Sequence, residues 1–289
     1  MPAMNRPTIG RVVAAVAVLA VAAGAWIWWS AAPAPEMPAA APPVAAVTPE
    51  PAKPAAASAP AGPVILHPLE AASEPAATAS VPPEPLPALA DADDFVARAL
   101  TDLLGRRGVL QFLQVDGFVQ RVVATVDNLP AKHASPRLWP VQPTPGRFAT
   151  RPQGETLQMD PDNAQRYLPL VQMVEAVSPV QAAALYRRLY PLFQQAYQEL
   201  GYPQGYFNDR LVQVIDHLRA TPQVEGTIAM TLTEVKGPYA ATAPWLRYEF
   251  ADPALQELSA GQRALLRSGV VNQRRLLAWL AAFRTQIAR

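Results

Sequence analysis

Proline placement constrains this chain more than any motif does. Sixteen of the sixty residues from Ala31 to Ala90 are Pro and twenty-one are Ala, with scattered Glu and no aromatic residue. A proline every few positions removes helix donors and holds the preceding residue in extended backbone. So few large apolar groups cannot offset the entropy of ordering the segment. Residues 30–90 are therefore expected to form a disordered Pro/Ala-rich linker of polyproline-II character, with an upper reach of ~190 Å at about 3.1 Å per residue. A spacer is a better reading of this composition than a recognition tract for a proline-binding partner. Only Val64-Ile65-Leu66 interrupts the pattern, and a short docking peptide is the alternative to plain spacer there.

Ahead of the linker, Val12–Trp29 contains no charge and no proline. As a helix it would span roughly 27 Å, close to the hydrocarbon thickness of a bilayer. Trp26, Trp28 and Trp29 close the run and suit an interfacial anchor, where an indole ring is buried and its N–H stays wet. Arg6 and Arg11 precede it, and no basic residue follows until Lys53. That asymmetry holds residues 1–11 in the cytoplasm and sends the remainder across the membrane. The competing reading is a signal peptide cleaved after Ala25, which would leave a Trp-Ile-Trp-Trp cluster at the new N-terminus. The expected location is a bacterial inner membrane, single-pass, with the C-terminal part in the periplasm.

Residues 91–289 are long enough for one globular domain with a hydrophobic core. They carry 21 Lys+Arg against 18 Asp+Glu, too small an excess to argue for a nucleic-acid partner. Cysteine is absent, which excludes thiol catalysis, Cys-ligated metals and disulfides. The periodicity is mainly helical. A helix from Asp91 to about Leu104 is expected to break at Gly105 and Gly108. A second follows Asp116 with Phe118, Val119, Val122, Val123 and Val126 on its apolar side, and stops at Asn128-Leu129-Pro130. Residues 130–147 read as a proline-rich loop, and Arg147–Arg151 with Glu155–Gln158 as a small hairpin. Asp160-Pro161 and Ser178-Pro179 each put a capping side chain before a proline at the first helical position. The second of these helices is expected to kink or break at Pro191 and to end at Gly201. A further helix covers about Tyr206 to Ala220. Thr227–Val235 and Trp245–Phe250 alternate as paired strands, Asp252-Pro253 opens a short helix, and Ser259 opens a last one bent at Gly269. The fold expected is α-rich α+β: a single multi-helix domain of about seven helices with one or two small β-hairpins.

The chemistry-bearing residues concentrate on the Tyr206–Ala220 helix. Asp209 and Asp216 lie seven apart, as do Arg210 and His217, so each pair shares a face. This is the best acid–base cluster in the chain, although Asp216 and His217, being adjacent, point about 100° apart. A solvated helix face is the plainer reading. Asp160-Pro-Asp162-Asn163 lacks the glycine and closing glutamate of a calcium loop and reads as helix capping. His67, His133 and His217 are too far apart for a zinc pattern, and no Walker A, G-x-S-x-G or G-x-G-x-x-G occurs. Neither a metal nor a cofactor is expected.

After Glu257 no acidic residue occurs, whereas Arg263, Arg267, Arg274 and Arg275 follow. On a helical wheel Leu276, Leu277, Leu280, Phe283 and Ile287 gather on one side and the arginines on the other. The default is an amphipathic helix packed on the domain with an exposed basic face. The alternative is contact between that face and anionic lipid headgroups or an acidic cell-wall polymer.

Several blocks, in order, resemble a bacterial envelope family known as domain of unknown function 3014. They are Val123-Ala-Thr-Val-Asp-Asn-Leu-Pro130, Tyr190-Pro-Leu-Phe-Gln-Gln-Ala-Tyr197, Glu199-Leu-Gly-Tyr-Pro203, Phe207-Asn-Asp-Arg210, Val214-Ile-Asp-His217, and Phe250-Ala-Asp-Pro253 with Leu258-Ser-Ala-Gly-Gln262. The resemblance covers nearly all of residues 86–289 and implies an envelope location and a single domain, with no catalytic residue to transfer. The function expected is binding or scaffolding in the cell envelope, with membrane lipid contacted through the N-terminal helix and an envelope protein or cell-wall polymer as partner. The alternative is a hydrolase or transferase acting on a cell-wall or lipid substrate through the Asp/His cluster.

Overall fold

The computed structural model describes residues 64–69, 84–233 and 247–288. Val12–Trp29, with Trp26, Trp28 and Trp29 expected as an interfacial anchor, and most of the Pro/Ala-rich stretch lie outside the described residues. Within them, no single helix is long and apolar enough to cross a membrane. They form a helix-rich α+β fold with eight α-helices and one four-stranded antiparallel sheet.

Helix α1 (Asp93–Phe112) is interrupted at Gly105, whose φ of 71° and ψ of 153° leave the helical region. The break expected there is present, whereas Gly108 stays helical. Helix α2 (Phe118–Asn128) buries all five apolar residues of its stripe. The loop after it carries Trp139 and Val141 into the core. Strands β1 (Thr150–Gln153) and β2 (Thr156–Met159) pair around a two-residue turn in which Gly154 takes φ 61°. Helices α3 (Asn163–Glu175), α4 (Pro179–Glu199) and α5 (Phe207–Arg219) follow, then β3 (Ala229–Leu232) and β4 (Tyr248–Phe250). The chain ends with α6 (Pro253–Gln256), α7 (Ala260–Arg267) and α8 (Val270–Ile287).

Four expectations change. Asp160 does not open α3: its carboxylate accepts from the Asp162 N–H at 2.9 Å and from Arg151 Nε at 2.6 Å. The helix starts at Asn163, whose side-chain amide bridges both main-chain groups of Ala149. Pro191 does not break α4, because Leu189, Leu192 and Phe193 around it are all buried. Packing there outweighs a penalty of about 3 kcal/mol for an interior proline. The final helix is two: Gly269 at φ 86° separates α7 from α8. The two hairpins are also not separate, since β2 pairs with β3 through Leu157↔Met230 and Gln158↔Ala229.

Helix α8 packs against α3, α4 and α5. Tyr186 on α4 sits at the centre of the aromatic core, with Phe193, Phe207 and Phe283 at ring separations of 5.7, 6.5 and 6.1 Å. Trp279 stacks on Phe283 and donates its indole N–H to the Val177 carbonyl at 2.8 Å. A smaller cluster under the sheet joins Phe148, Met159, Ile228, Met230 and Phe250 to Leu266 of α7. The C-terminal carbonyls of α8 lack intrahelical donors. They are met by Arg187 on α4 at Gln286 and by Asn208 on α5 at Ile287.

Candidate functional site

The first turn of α5 is where this fold gathers its polar side chains. Tyr206 precedes the helix, and Asn208 and Asp209 lie in its first turn. Gln194 on α4 fixes the approach: its Oε1 accepts from the Phe207 N–H at 2.9 Å, and its amide donates to the Gly205 carbonyl at 2.7 Å. The Tyr190 hydroxyl donates to the same Oε1 at 2.8 Å, and its ring lies 5.4 Å from that of Tyr206. Burial, reinforced by Tyr206, pushes the Tyr190 phenol well above its usual range, so it stays neutral. Asn208 is fully buried; its Oδ1 accepts from the Tyr186 hydroxyl at 3.2 Å.

Across this turn lies a segment of the linker. The Asp209 carboxylate accepts two main-chain N–H groups, from Leu66 at 2.9 Å and His67 at 2.7 Å. Asn208 Nδ2 donates to the His67 carbonyl at 2.8 Å, and the Tyr206 hydroxyl accepts from the Leu69 N–H at 2.8 Å. Every residue of Leu66–Leu69 that possesses an N–H donates it to the domain; Pro68 has none to donate. The side chains contribute less. Val64, Ile65 and Leu66 are 79%, 49% and 69% exposed, and only Leu69 packs against the main core. The notch formed by Tyr206, Asn208 and Asp209 thus holds backbone, through charge-assisted bonds at its centre.

The four residues proposed from the sequence for acid–base chemistry all sit on α5, and each has its own partner. Asp209 holds the segment just described. Arg210 donates to the Asp127 carboxylate and carbonyl, both at 2.8 Å, and Tyr202 donates to the same carboxylate at 3.0 Å. Asp216 accepts from Arg284 at 2.7 Å and Arg219 at 3.1 Å; burial raises its pKa, but these two guanidinium groups bring it below the usual carboxylate value. His217 Nε2 lies 2.9 Å from the Ser259 hydroxyl, which also accepts from the Gln262 N–H in the capping box of α7. Burial, then the Arg210 charge, lowers the His217 pKa. Arg210 and His217 share one face as expected, while Asp209 and Asp216 turn toward the segment and α8. Tyr206, Asn208 and the Leu66–Leu69 partner had no signature in the sequence beyond the apolar interruption at Val64–Leu66.

The expected basic face is divided. Arg263 and Arg267 are buried, at 5% and 2% exposure, and cannot reach a lipid surface. Arg263 donates to the Gln256 and Lys132 carbonyls. Arg267 donates to the Tyr248 carbonyl at 2.6 Å and lies over the rings of Phe148 and Phe250 at 5.1 and 5.2 Å. Burial lowers its pKa to about 10, so it remains cationic at neutral pH. The reason is positional: α7 is sandwiched between the sheet and α5, so its arginines meet carbonyls rather than water. Arg274 and Arg275 stay at the surface, paired with Glu225 and Glu175, and line a shallow groove with Trp279 and Ser178. Among the described residues no group of three or more His, Asp or Glu side chains is placed to hold a metal ion.

No curated protein and no solved structure matches this chain. A family model does, over residues 118–284, from α2 to the last turns of α8. The chain belongs to the family described as protein of unknown function (DUF3014).

Proposed function

We propose that this chain is a single-pass protein of the bacterial inner membrane whose domain acts in the periplasm as a binding or scaffolding module. The N-terminal asymmetry of Arg6 and Arg11 around Val12–Trp29 supports the topology. The observation that carries the binding role is the notch at the start of α5, where three side chains grip a main chain bent at Leu66 and His67 through four hydrogen bonds. Polar groups spent on holding a peptide backbone are a recognition device. A hydrolase or transferase would need Asp209, Asp216 and His217 around one substrate, whereas they engage a linker segment, two arginines and a helix cap.

Two experiments test this. The chain has no cysteine, so Ser58→Cys supplies a single reporter of sidedness. It should react with a membrane-impermeant maleimide in spheroplasts, and labelling only after lysis would overturn the topology. For binding, a photo-crosslinking residue at Ile65 in living cells should give a discrete adduct that Asp209→Ala abolishes. Adducts indifferent to Asp209→Ala would remove the notch from the binding role.

A further inference from the structure

We infer that the Tyr206–Asn208–Asp209 notch is a recognition site for peptide that bends just before a proline, and that Leu66–Leu69, bent at Leu66 and His67, is its resident and displaceable occupant. The inference rests on the binding-module reading and names its ligand class. The bonds explain the class. Asp209 accepts two consecutive N–H groups, Asn208 donates to the carbonyl between them and the next residue, and Tyr206 accepts the N–H two positions on. The position skipped is the one where Pro68 stands, and a proline has no N–H to lose there; the bend at Leu66 and His67 is what turns both of their N–H groups to one carboxylate. Of the held residues Leu66 and Pro68 are exposed while Leu69 packs against the core, so the site reads main-chain geometry and selects an apolar side chain only at the position after the proline.

Displaceability follows from the balance of terms. Ordering four residues costs about what four net hydrogen bonds return, so closed and open forms lie near one another in free energy. Fourteen residues separate Leu69 from Glu84, and a segment joined by so short a connection competes at an effective concentration on the order of millimolar. A peptide in trans therefore binds only when it is present at comparable activity or fits better. Release also changes the reach of the domain. With the segment seated, 36 residues separate Trp29 from the first held residue; with it free, 54 separate Trp29 from Glu84. Occupancy of the notch by another peptide would lengthen the tether.

The test uses the full chain in detergent. Hydrogen exchange should show the Leu66 and His67 amides slowed at least tenfold relative to an unstructured peptide of the same sequence. Asp209→Ala should return them to the unprotected rate while core amides such as Leu280 keep theirs. The double variant Leu66→Pro with His67→Pro removes the two N–H groups that Asp209 accepts and leaves the notch intact. A labelled peptide of residues 61–70 should bind this double variant at least tenfold more tightly than the unaltered chain, and adding Asp209→Ala should abolish that binding. Unprotected amides in the unaltered chain, equal peptide affinity for the two proteins, or no peptide binding to either would overturn the inference. Such a failure would leave standing the topology result from Ser58→Cys and an Ile65 adduct to another protein that Asp209→Ala abolishes.

Discussion

Asn208→Ala offers the sharpest test of how the helices are joined. The side chain is fully buried and makes three hydrogen bonds: from the Tyr186 hydroxyl, to the Ile287 carbonyl and to the His67 carbonyl. Truncation leaves the first two partners buried without replacement, at about 1–3 kcal/mol for each stranded group. The His67 bond lies nearer solvent, where water can take it over, and adds little. The expected loss is thus ~2–6 kcal/mol, a large share of the 5–15 kcal/mol typical of a domain. With a urea m-value of about 2 kcal/mol/M, the midpoint should fall by roughly 1–3 M with m unchanged. Tyr186→Phe alone should cost about 1 kcal/mol, and the double variant should lose less than the sum, by about 0.5 kcal/mol or more, because each single change strands the other's group. Asn208→Asp should be at least as damaging as Asn208→Ala, since it sets a carboxylate against the Ile287 and His67 carbonyls. A loss below ~1 kcal/mol for Asn208→Ala, or strict additivity with Tyr186→Phe, would refute the view that this amide ties α4, α5 and α8 together.

Two further outcomes follow from the geometry. Gly261→Ala would place a Cβ 2.6 Å from Leu218 Cδ2 and 3.2 Å from the Leu129 carbonyl, so it should destabilise the fold by about 1–3 kcal/mol in the same urea assay, and a neutral result would mean that α7 can shift. The native His217 pKa lies below the ordinary 6.5, chiefly through burial. Its stabilising contribution is therefore complete above about pH 6.5 and is lost as pH falls from there through the native value. His217→Gln should flatten the fall in urea midpoint between pH 7 and pH 5, and an unchanged slope would assign that fall to other groups.

Local signals carried much of this fold. The valine-rich stripe of α2, the Tyr206–Ala220 pattern and the turn at Gly154 each announce an element because neighbours a few residues apart decide it. The joining of the hairpins was not visible, since β2 and β3 meet across about seventy residues and through only two register pairs. Arginine burial escaped for a different reason. Arg263 and Arg267 are satisfied largely by main-chain carbonyls of Lys132, Gln256 and Tyr248, and a carbonyl leaves no trace in composition. A wheel therefore assigns such residues to water by default.

The candidate site divides along the same line. Asp209 stands out in the sequence for its seven-residue spacing from Asp216; in the structure it lies in the first turn of α5, where negative charge is favoured and often caps the helix itself. What it accepts instead is the N–H pair of Leu66 and His67, more than a hundred and forty residues earlier in the chain. A bond from side chain to main chain leaves the residue type of its backbone partner free, so of this site only Asp209 stands out in the sequence. On the linker side the apolar interruption at Val64–Leu66 marks the neighbourhood but not the contacts, because those side chains point outward. The informative residue there is Pro68, the one residue of Leu66–Leu69 with no N–H to donate. The prolines that in sequence argue for a spacer are, at this one position, compatible with being held.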